Sequence, residues 1–357
     1  MRAEKGLTLA AGHRLAATAL LTAAMLATLA CGSGTGTTRV VIPPGATFRV
    51  AADSLHRAGI VGSTRLFRMY ASLRGHDRRI RAGTYVMSRG MSWPAVVSAL
   101  TQGTGLIRTV TIPEGYAIAD IAPLLARTLG VEEDSVLAAT RDSTMRERLD
   151  VPTPTLEGYL FPDTYSFPDG TSGRSAVETM VKRFEQVWQP AWNDKLEQLA
   201  LSRHDIITLA SIVEKEAKLP AERPVIAAVY LNRLRIGMKL QADPTVQYAL
   251  GRHSSRLFYK DLRVDSPYNT YEHAGLPPGP IASPGRASII ASVDPAAVPY
   301  RYFVAHPDGH HEFHVDYKSH EQAVAAVRRE RDALAKAGGG VAPNAAAGSR
   351  SSRPRHR

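Results

Sequence analysis

The chain has 357 residues, 44% of them hydrophobic, and a formal net charge of +11 from 44 Lys and Arg against 33 Asp and Glu. That length suits two or three domains with sizeable cores, and the basic balance raises nucleic acid or anionic lipid as a partner. Much of the excess is terminal, with Arg350, Arg353, Arg355 and Arg357 at one end and Arg2, Lys5 and Arg14 at the other. No zinc-finger spacing, RNP-like strand or repeated basic helix accompanies it, which argues against nucleic acid.

The run from Leu15 to Ala30 carries no charge and follows Arg2, Lys5 and Arg14. This pattern reads as a signal-type or anchoring segment, with its positive side cytoplasmic and the remainder exported. The run is short for a membrane span unless the apolar stretch from Leu7 contributes. Cys31, the only cysteine, stands directly after it, before Gly32 and Ser33. That place suits a lipid anchor, although Thr28-Leu29-Ala30 departs from the usual small-residue pattern. The expectation is a single-span anchor, with lipid attachment at Cys31 and cleaved secretion as alternatives. One cysteine forms no internal disulfide, so the exported part must be stable without one.

From Thr38 to about Gln102 the pattern predicts strand, helix, helix, strand, helix: Arg39–Ile42, Thr47–His56, Thr64–Leu73, Gly83–Met87 and a helix capped by Ser92. A faint repeat follows, since Ile42-Pro43-Pro44-Gly45 returns as Ile112-Pro113-Glu114-Gly115. Each copy closes a strand and opens a helix, which predicts two related small α/β modules or the same turn chemistry used twice. Residues 130–150 are charged and helical in pattern. Leu156 to Phe167 packs aromatics, two acids and a proline with no helical period, a composition that fits sugar-ring stacking or an aromatic turn in the core. Gly173 to Trp188 reads as an amphipathic helix.

Ser202 to Gln247 predicts two helices and a turn. Ser202 and Asp205 form a capping-box-like start. With Ile212 at zero and about 100° per residue, Glu216 falls near 40°, between Ile212 and Leu209, while Glu214 falls near 200°. Burial raises a carboxyl pKa, so Glu216 is placed where an acid keeps its proton near neutrality. The competing reading puts it at the core rim, ion-paired with Lys218 or an arginine. Pro224 suits the first turn of the next helix, Gly237 ends it, and Gln241–Thr245 forms a turn in which Asp243 either caps a Thr245–Leu250 helix or faces a cleft. Residues 266–285 are a long Pro- and Gly-rich loop carrying Tyr268, Asn269 and Tyr271, and long loops inside compact domains are usually functional. A short helix over Arg286–Val293, a hairpin from Tyr300 to Val315 and a helix from a Ser319/Gln322 capping box to about Ala335 follow. The remaining tail reads as disordered.

His306, His310, His311 and His314 lack helical metal-pair spacing and read as hairpin histidines. No G-x-S-x-G elbow or Walker loop occurs. A carboxylate is the best candidate for chemistry, and no cofactor or metal is expected.

Several motifs then carry a resemblance: Ala210-Ser211-Ile212-Val213-Glu214-Lys215-Glu216, Asn232-Arg233-Leu234, Leu240-Gln241-Ala242-Asp243-Pro244-Thr245, Tyr268-Asn269-Thr270-Tyr271, Gly275-Leu276-Pro277-Pro278-Gly279-Pro280-Ile281 and Tyr302-Phe303-Val304. In order and spacing they resemble the endolytic murein transglycosylases, the YceG-like family, over roughly residues 38–335. The resemblance implies an α+β protein with an N-terminal anchor (1–37), a LysM-like module (38–106), a second small module or connector (107–150), a mixed α/β catalytic domain (151–336) and a disordered basic tail (337–357). It implies a single-pass protein of the cytoplasmic membrane, acting outside it on nascent peptidoglycan strands, with peptidoglycan synthases as partners. The family's catalytic glutamate falls on Glu216, and Gln241, Asp243, Thr245, Tyr268, Asn269, Tyr271 and Glu157 are the expected substrate-binding residues. Related enzymes often carry Ser or Thr after the catalytic glutamate, where this chain has Ala217. The alternative function is a non-catalytic peptidoglycan-binding scaffold that recruits synthases.

Overall fold

The computed structural model describes residues 36–75, 80–251 and 257–337. The anchor expected at 15–30 and the tail beyond 337 lie outside the described residues. Among the described residues no helix is long and apolar enough to cross a membrane. The fold is mixed α/β with antiparallel sheets, in two compact units: one takes the described residues up to Val110 with Leu124–Glu132 and Thr164–Ala176, the other Thr111–Pro123, Glu133–Asp163 and the chain from Val177.

In the first unit, strands β1 (Thr37–Ile42), β2 (Gly83–Ser88), β3 (Leu106–Thr111) and β4 (Thr164–Pro168) form one sheet in that order. β1 pairs antiparallel with β2, setting Val40 opposite Tyr85, and β2 pairs antiparallel with β3. Alternation along β1 buries Val40 and Ile42 against helices α1 (Phe48–Arg57), α2 (Thr64–Leu73) and α3 (Trp93–Gln102). Phe48 stacks on Phe67 with centroids 5.5 Å apart, and Trp93 meets Phe67 edge-on at 5.9 Å. Both copies of the repeated turn hold a left-handed glycine before a helix, Gly45 (φ 70°) and Gly115 (φ 76°), and the strand of the second copy joins the sheet of the first. Helices α4 (Ile118–Leu129), α5 (Glu133–Thr140) and α6 (Ser143–Arg148) follow. The aromatics of the 156–167 stretch are core groups: Tyr159, Phe161, Tyr165 and Phe167 are all buried. They are therefore not available to stack on sugar rings.

The second unit is organised around α9 (Arg203–Glu216), with α7 (Gly173–Val187) and α8 (Trp192–Leu199) before it, and α10 (Arg223–Arg235), α11 (Asp243–Ala249) and α12 (Arg286–Val293) after it. The capping box forms as expected: Ser202 N–H donates to Asp205 Oδ2 at 2.9 Å, and Ser202 Oγ accepts from Asp205 N–H at 3.1 Å. Every residue from Ile206 to Val213 is buried, so α9 is a central helix with no solvent face. Ile212, Val213, Ile226, Tyr230, Leu240 and Ile281 share one core cluster. The 266–285 loop contains no helix or strand, and its end is pinned where Ile281 N–H donates to Ser211 Oγ at 3.0 Å. Strands β5 (Tyr302–Ala305) and β6 (His311–His314) make the expected hairpin. The last helix, α13 (Tyr317–Ala337), starts earlier than expected because Asp316 accepts from both Ser319 N–H and Ser319 Oγ–H, displacing the Ser319/Gln322 box.

Gly158 shows how tightly the unit closes. Its φ is +84°, and an added Cβ would fall 2.4 Å from Pro280 Cβ. Gly158→Ala should therefore cost about 1–3 kcal/mol in a denaturant titration. Gly237→Ala, with φ +68° and nothing within 4 Å, should cost only the backbone penalty of about 1–2 kcal/mol.

Candidate active site

Glu216 is the last residue of α9 and lines a cleft of about 480 Å³ together with Glu114, Lys215, Asp243, Gln247 and His311. The carboxyl accepts a hydrogen bond from the Tyr230 hydroxyl at 2.9 Å, and no lysine or arginine pairs with it among the described residues. The ion-paired alternative thus does not describe this group. Burial pushes its pKa up to about 7, the negative charge of Asp243 adds to that, and the Tyr230 hydrogen bond works the other way. Tyr230 is itself fixed by the core and by Phe303, whose ring meets it edge-on at 5.9 Å.

Glu214 overturns half of the periodicity argument. It does not face solvent; its side chain is only 7% exposed. Packing on several sides of α9 leaves no outward face for it. The carboxylate instead accepts from Ser288 Oγ–H at 2.7 Å and Gly285 N–H at 2.9 Å, and pairs with Arg223 at 3.4 Å. Both glutamates line the cleft, but Glu214 is paired with Arg223, whereas Glu216 is desolvated and without an ion pair. Ala217 caps α9, its N–H donating to Val213 O at 2.9 Å, and its methyl packs on the core cluster.

The other expected site residues separate into two groups. Asp243 reaches the cleft. It is the first residue of α11, whose N-cap is Ala242, and its Oδ1 accepts from Tyr271 Oη–H at 2.6 Å. Thr245 and Asn269 are fully enclosed. Thr245 Oγ1 donates to Ala242 O at 2.8 Å and lies 2.9 Å from Thr270 Oγ1, while Asn269 Nδ2 donates to Leu262 O and Val264 O. Both hold the loop in shape, a scaffold task forced by their burial. Gln241 takes a left-handed φ of 51°, and its N–H donates to Thr270 O at 3.0 Å. Tyr268 packs on Tyr248 with centroids 4.9 Å apart.

Glu157 lies in an adjoining cavity of about 490 Å³ that shares Lys215, Pro244 and Gln247 with the cleft. Both of its oxygens accept from Ile118 N–H at 3.1 Å, and Tyr248 Oη–H reaches one at 3.4 Å. Burial raises its pKa to about 7 despite those bonds.

Three residues at or behind the cleft were missed in the sequence. Glu114, in the second copy of the repeated turn, lies against Gly285, where an added Cβ would come 2.0 Å from its Oε1. Its pKa is raised by burial and by the charge of Glu214. His311, read as an ordinary hairpin residue, is held by Glu222: its Nδ1 lies 2.6 Å from Glu222 Oε2, and its N–H donates to Oε1 at 2.9 Å. The ring is buried and forms part of the cleft wall. Tyr230, whose hydroxyl donates to Glu216, was not singled out in the sequence at all. No group of three or more metal-ligating side chains occurs among the described residues.

A model of the YceG-like family matches residues 40–326. The chain belongs to the YceG-like family. It is 35% identical over 303 residues to the endolytic murein transglycosylase of Bacillus subtilis strain 168, covering 80% of this chain and 84% of that protein. It is 30% identical over 297 residues to the endolytic murein transglycosylase of Streptococcus pneumoniae serotype 2 strain D39, covering 74% of this chain and 54% of that protein. The chain therefore spans about half the length of the pneumococcal relative. The crystal structure of a YceG-like protein from Listeria monocytogenes superposes with a TM-score of 0.58 at 33% identity, covering 80% of this chain and 98% of that one.

Tyr230 gives this family member a direct test of its electrostatics. The hydroxyl favours the charged form of Glu216, so Tyr230→Phe should raise the carboxyl pKa above about 7. Each lost 1.4 kcal/mol of hydrogen bond moves the midpoint by about one pH unit. Carbon-13 NMR of labelled Glu216 in the two proteins reads the shift.

Proposed function

We propose that this chain is a lytic transglycosylase that cuts glycan strands of peptidoglycan internally, with Glu216 as its general acid and base. The observation that carries the reading is a desolvated carboxyl without an ion pair, its pKa near 7, at the wall of a cleft in a member of this family. A proton held near neutrality is available to the glycosidic oxygen of the MurNAc–GlcNAc β-1,4 bond as the C1–O4 bond breaks. The carboxylate left behind accepts the proton of the MurNAc 6-hydroxyl as that oxygen closes on C1, and the product carries a 1,6-anhydro end. The substrate supplies its own nucleophile, so no second carboxylate is needed to activate water. The 2-acetamido group assists at C1. Asp243, positioned by Tyr271, orients sugar hydroxyls, and its charge helps keep the proton on Glu216. Gln241 and Tyr268 flank the sugars, and Glu157 serves the adjoining cavity. Thr245 and Asn269 act through the shape of the loop.

The same reading assigns the uncharged run at 15–30 to a membrane anchor, or Cys31 to a lipid anchor, with the catalytic unit outside the cytoplasmic membrane beside the synthases that make its substrate. It assigns residues 38–106 to a LysM-like glycan-binding module.

Product mass analysis on purified peptidoglycan tests the reaction. The wild-type protein should release anhydro-ended fragments. Reducing ends, heavier by one water, would mean a hydrolase, and binding to sacculi without release would mean a scaffold. Glu216→Gln should lower the rate at least about a hundredfold, the usual share of general acid–base catalysis. Glu214→Gln should lower stability while sparing turnover, since its carboxylate is tied to Arg223 and Ser288. Anhydro products at near wild-type rate from Glu216→Gln would remove the assignment.

A further inference from the structure

Helix α2 has two apolar faces, and only one is used by the core. Phe67 and Ala71 point inward and are fully buried, whereas Leu66, Met69 and Leu73 are 51%, 58% and 81% exposed. At about 100° per residue these three fall within an arc of about 60°, so they form one outward stripe. Met69 also borders a groove of about 560 Å³ lined by Arg49, Arg65 and Arg68. Among the described residues no carboxylate pairs with any of these arginines. The segment 36–75 has six arginines and a single acid, Asp53. Solvation explains an arginine-rich groove alone, and chance explains a lone exposed leucine. Three large apolar groups in line, beside three uncompensated guanidiniums, call for a partner that is apolar and anionic at once.

We propose that this face of α2 lies on an anionic phospholipid surface, with Leu66, Met69 and Leu73 at the acyl boundary and Arg49, Arg65 and Arg68 on headgroup phosphates. Location supports that occupant, and here the argument rests on the anchor reading above. The uncharged run ends at Ala30 and the described chain begins at Gly36. The intervening residues span at most about 20 Å when extended. A bilayer holding the run is therefore within reach of this unit, and tethering raises the local concentration of lipid around a weak face. Amphipathic surfaces of this kind settle about 5–10 Å into the headgroup region, and their binding depends on anionic lipid.

The test uses the full chain with Cys31→Ser, carrying a nitroxide at Met69→Cys or, separately, at Leu20→Cys. Each protein is reconstituted in phosphatidylcholine vesicles with or without phosphatidylglycerol, and label depth is read from collisions with oxygen against a water-soluble nickel chelate. The Met69 label should sit about 5–10 Å below the phosphates when phosphatidylglycerol is present. It should return to water without that lipid, and in the Arg65→Glu/Arg68→Glu protein. The Leu20 label reports the anchor independently: immersion at 69 without immersion at 20 supports the surface and removes the anchor. A water-exposed Met69 label in phosphatidylglycerol vesicles overturns the proposal, whatever position 20 shows. Immobilisation of the Met69 label by soluble glycan strands, with no shift on vesicles, overturns it in favour of a polymer-binding face.

Discussion

A carboxyl group keeps its proton near neutral pH only where desolvation outweighs the pull of nearby cations, and in the second unit burial of Glu216 prevails over the charges of Arg233 and Lys218. The central helix α9 is buried from Ile206 to Val213, so its last turn emerges from a core into the cleft wall. Desolvation supplies the upward push, Asp243 adds its negative charge, and the single hydrogen bond from Tyr230 keeps the group oriented without restoring its ordinary acidity. Arg223, a cation on the neighbouring helix, is committed to Glu214. Without that commitment a nearby guanidinium would favour the ionised form of whichever carboxyl it reached.

The two glutamates of Val213-Glu214-Lys215-Glu216 show what could be read from sequence and what could not. Periodicity placed Glu216 in an apolar setting and Glu214 away from it, because it assumed one buried stripe per helix. In a helix surrounded by α10, α12 and the loop, that assumption fails, and Glu214 is enclosed as well. What separates them is partners, and partners come from Arg223, Ser288 and Gly285, residues distant in the chain. The same limit applies to Asp243, whose bond to Tyr271 joins positions 28 residues apart, and to His311, whose bond to Glu222 spans 89. Local rules located α2, α9 and α12 to within a residue or two, since caps and apolar spacing are local.

Asn269 in the loop and Thr245 in α11 make a related point. Their motifs marked them as site residues, yet the fold spends their polar atoms on backbone and on Thr270. A loop without helix or strand must satisfy its backbone somehow, and side chains inside it do that work. Its contribution to the cleft is made by the groups it presents, Tyr271 foremost, whose hydroxyl fixes Asp243.

The central claim is that the proton on Glu216 drives bond cleavage. The pH dependence of kcat/KM tests it most directly, because it reports the ionisation of the essential acid in the free enzyme. The account predicts an alkaline limb near the pKa of about 7 set by burial of Glu216, displaced upward in Tyr230→Phe by the same amount as the NMR midpoint. Activity that holds level well above that pH, while the Glu216 carboxyl is seen to be ionised, would contradict it.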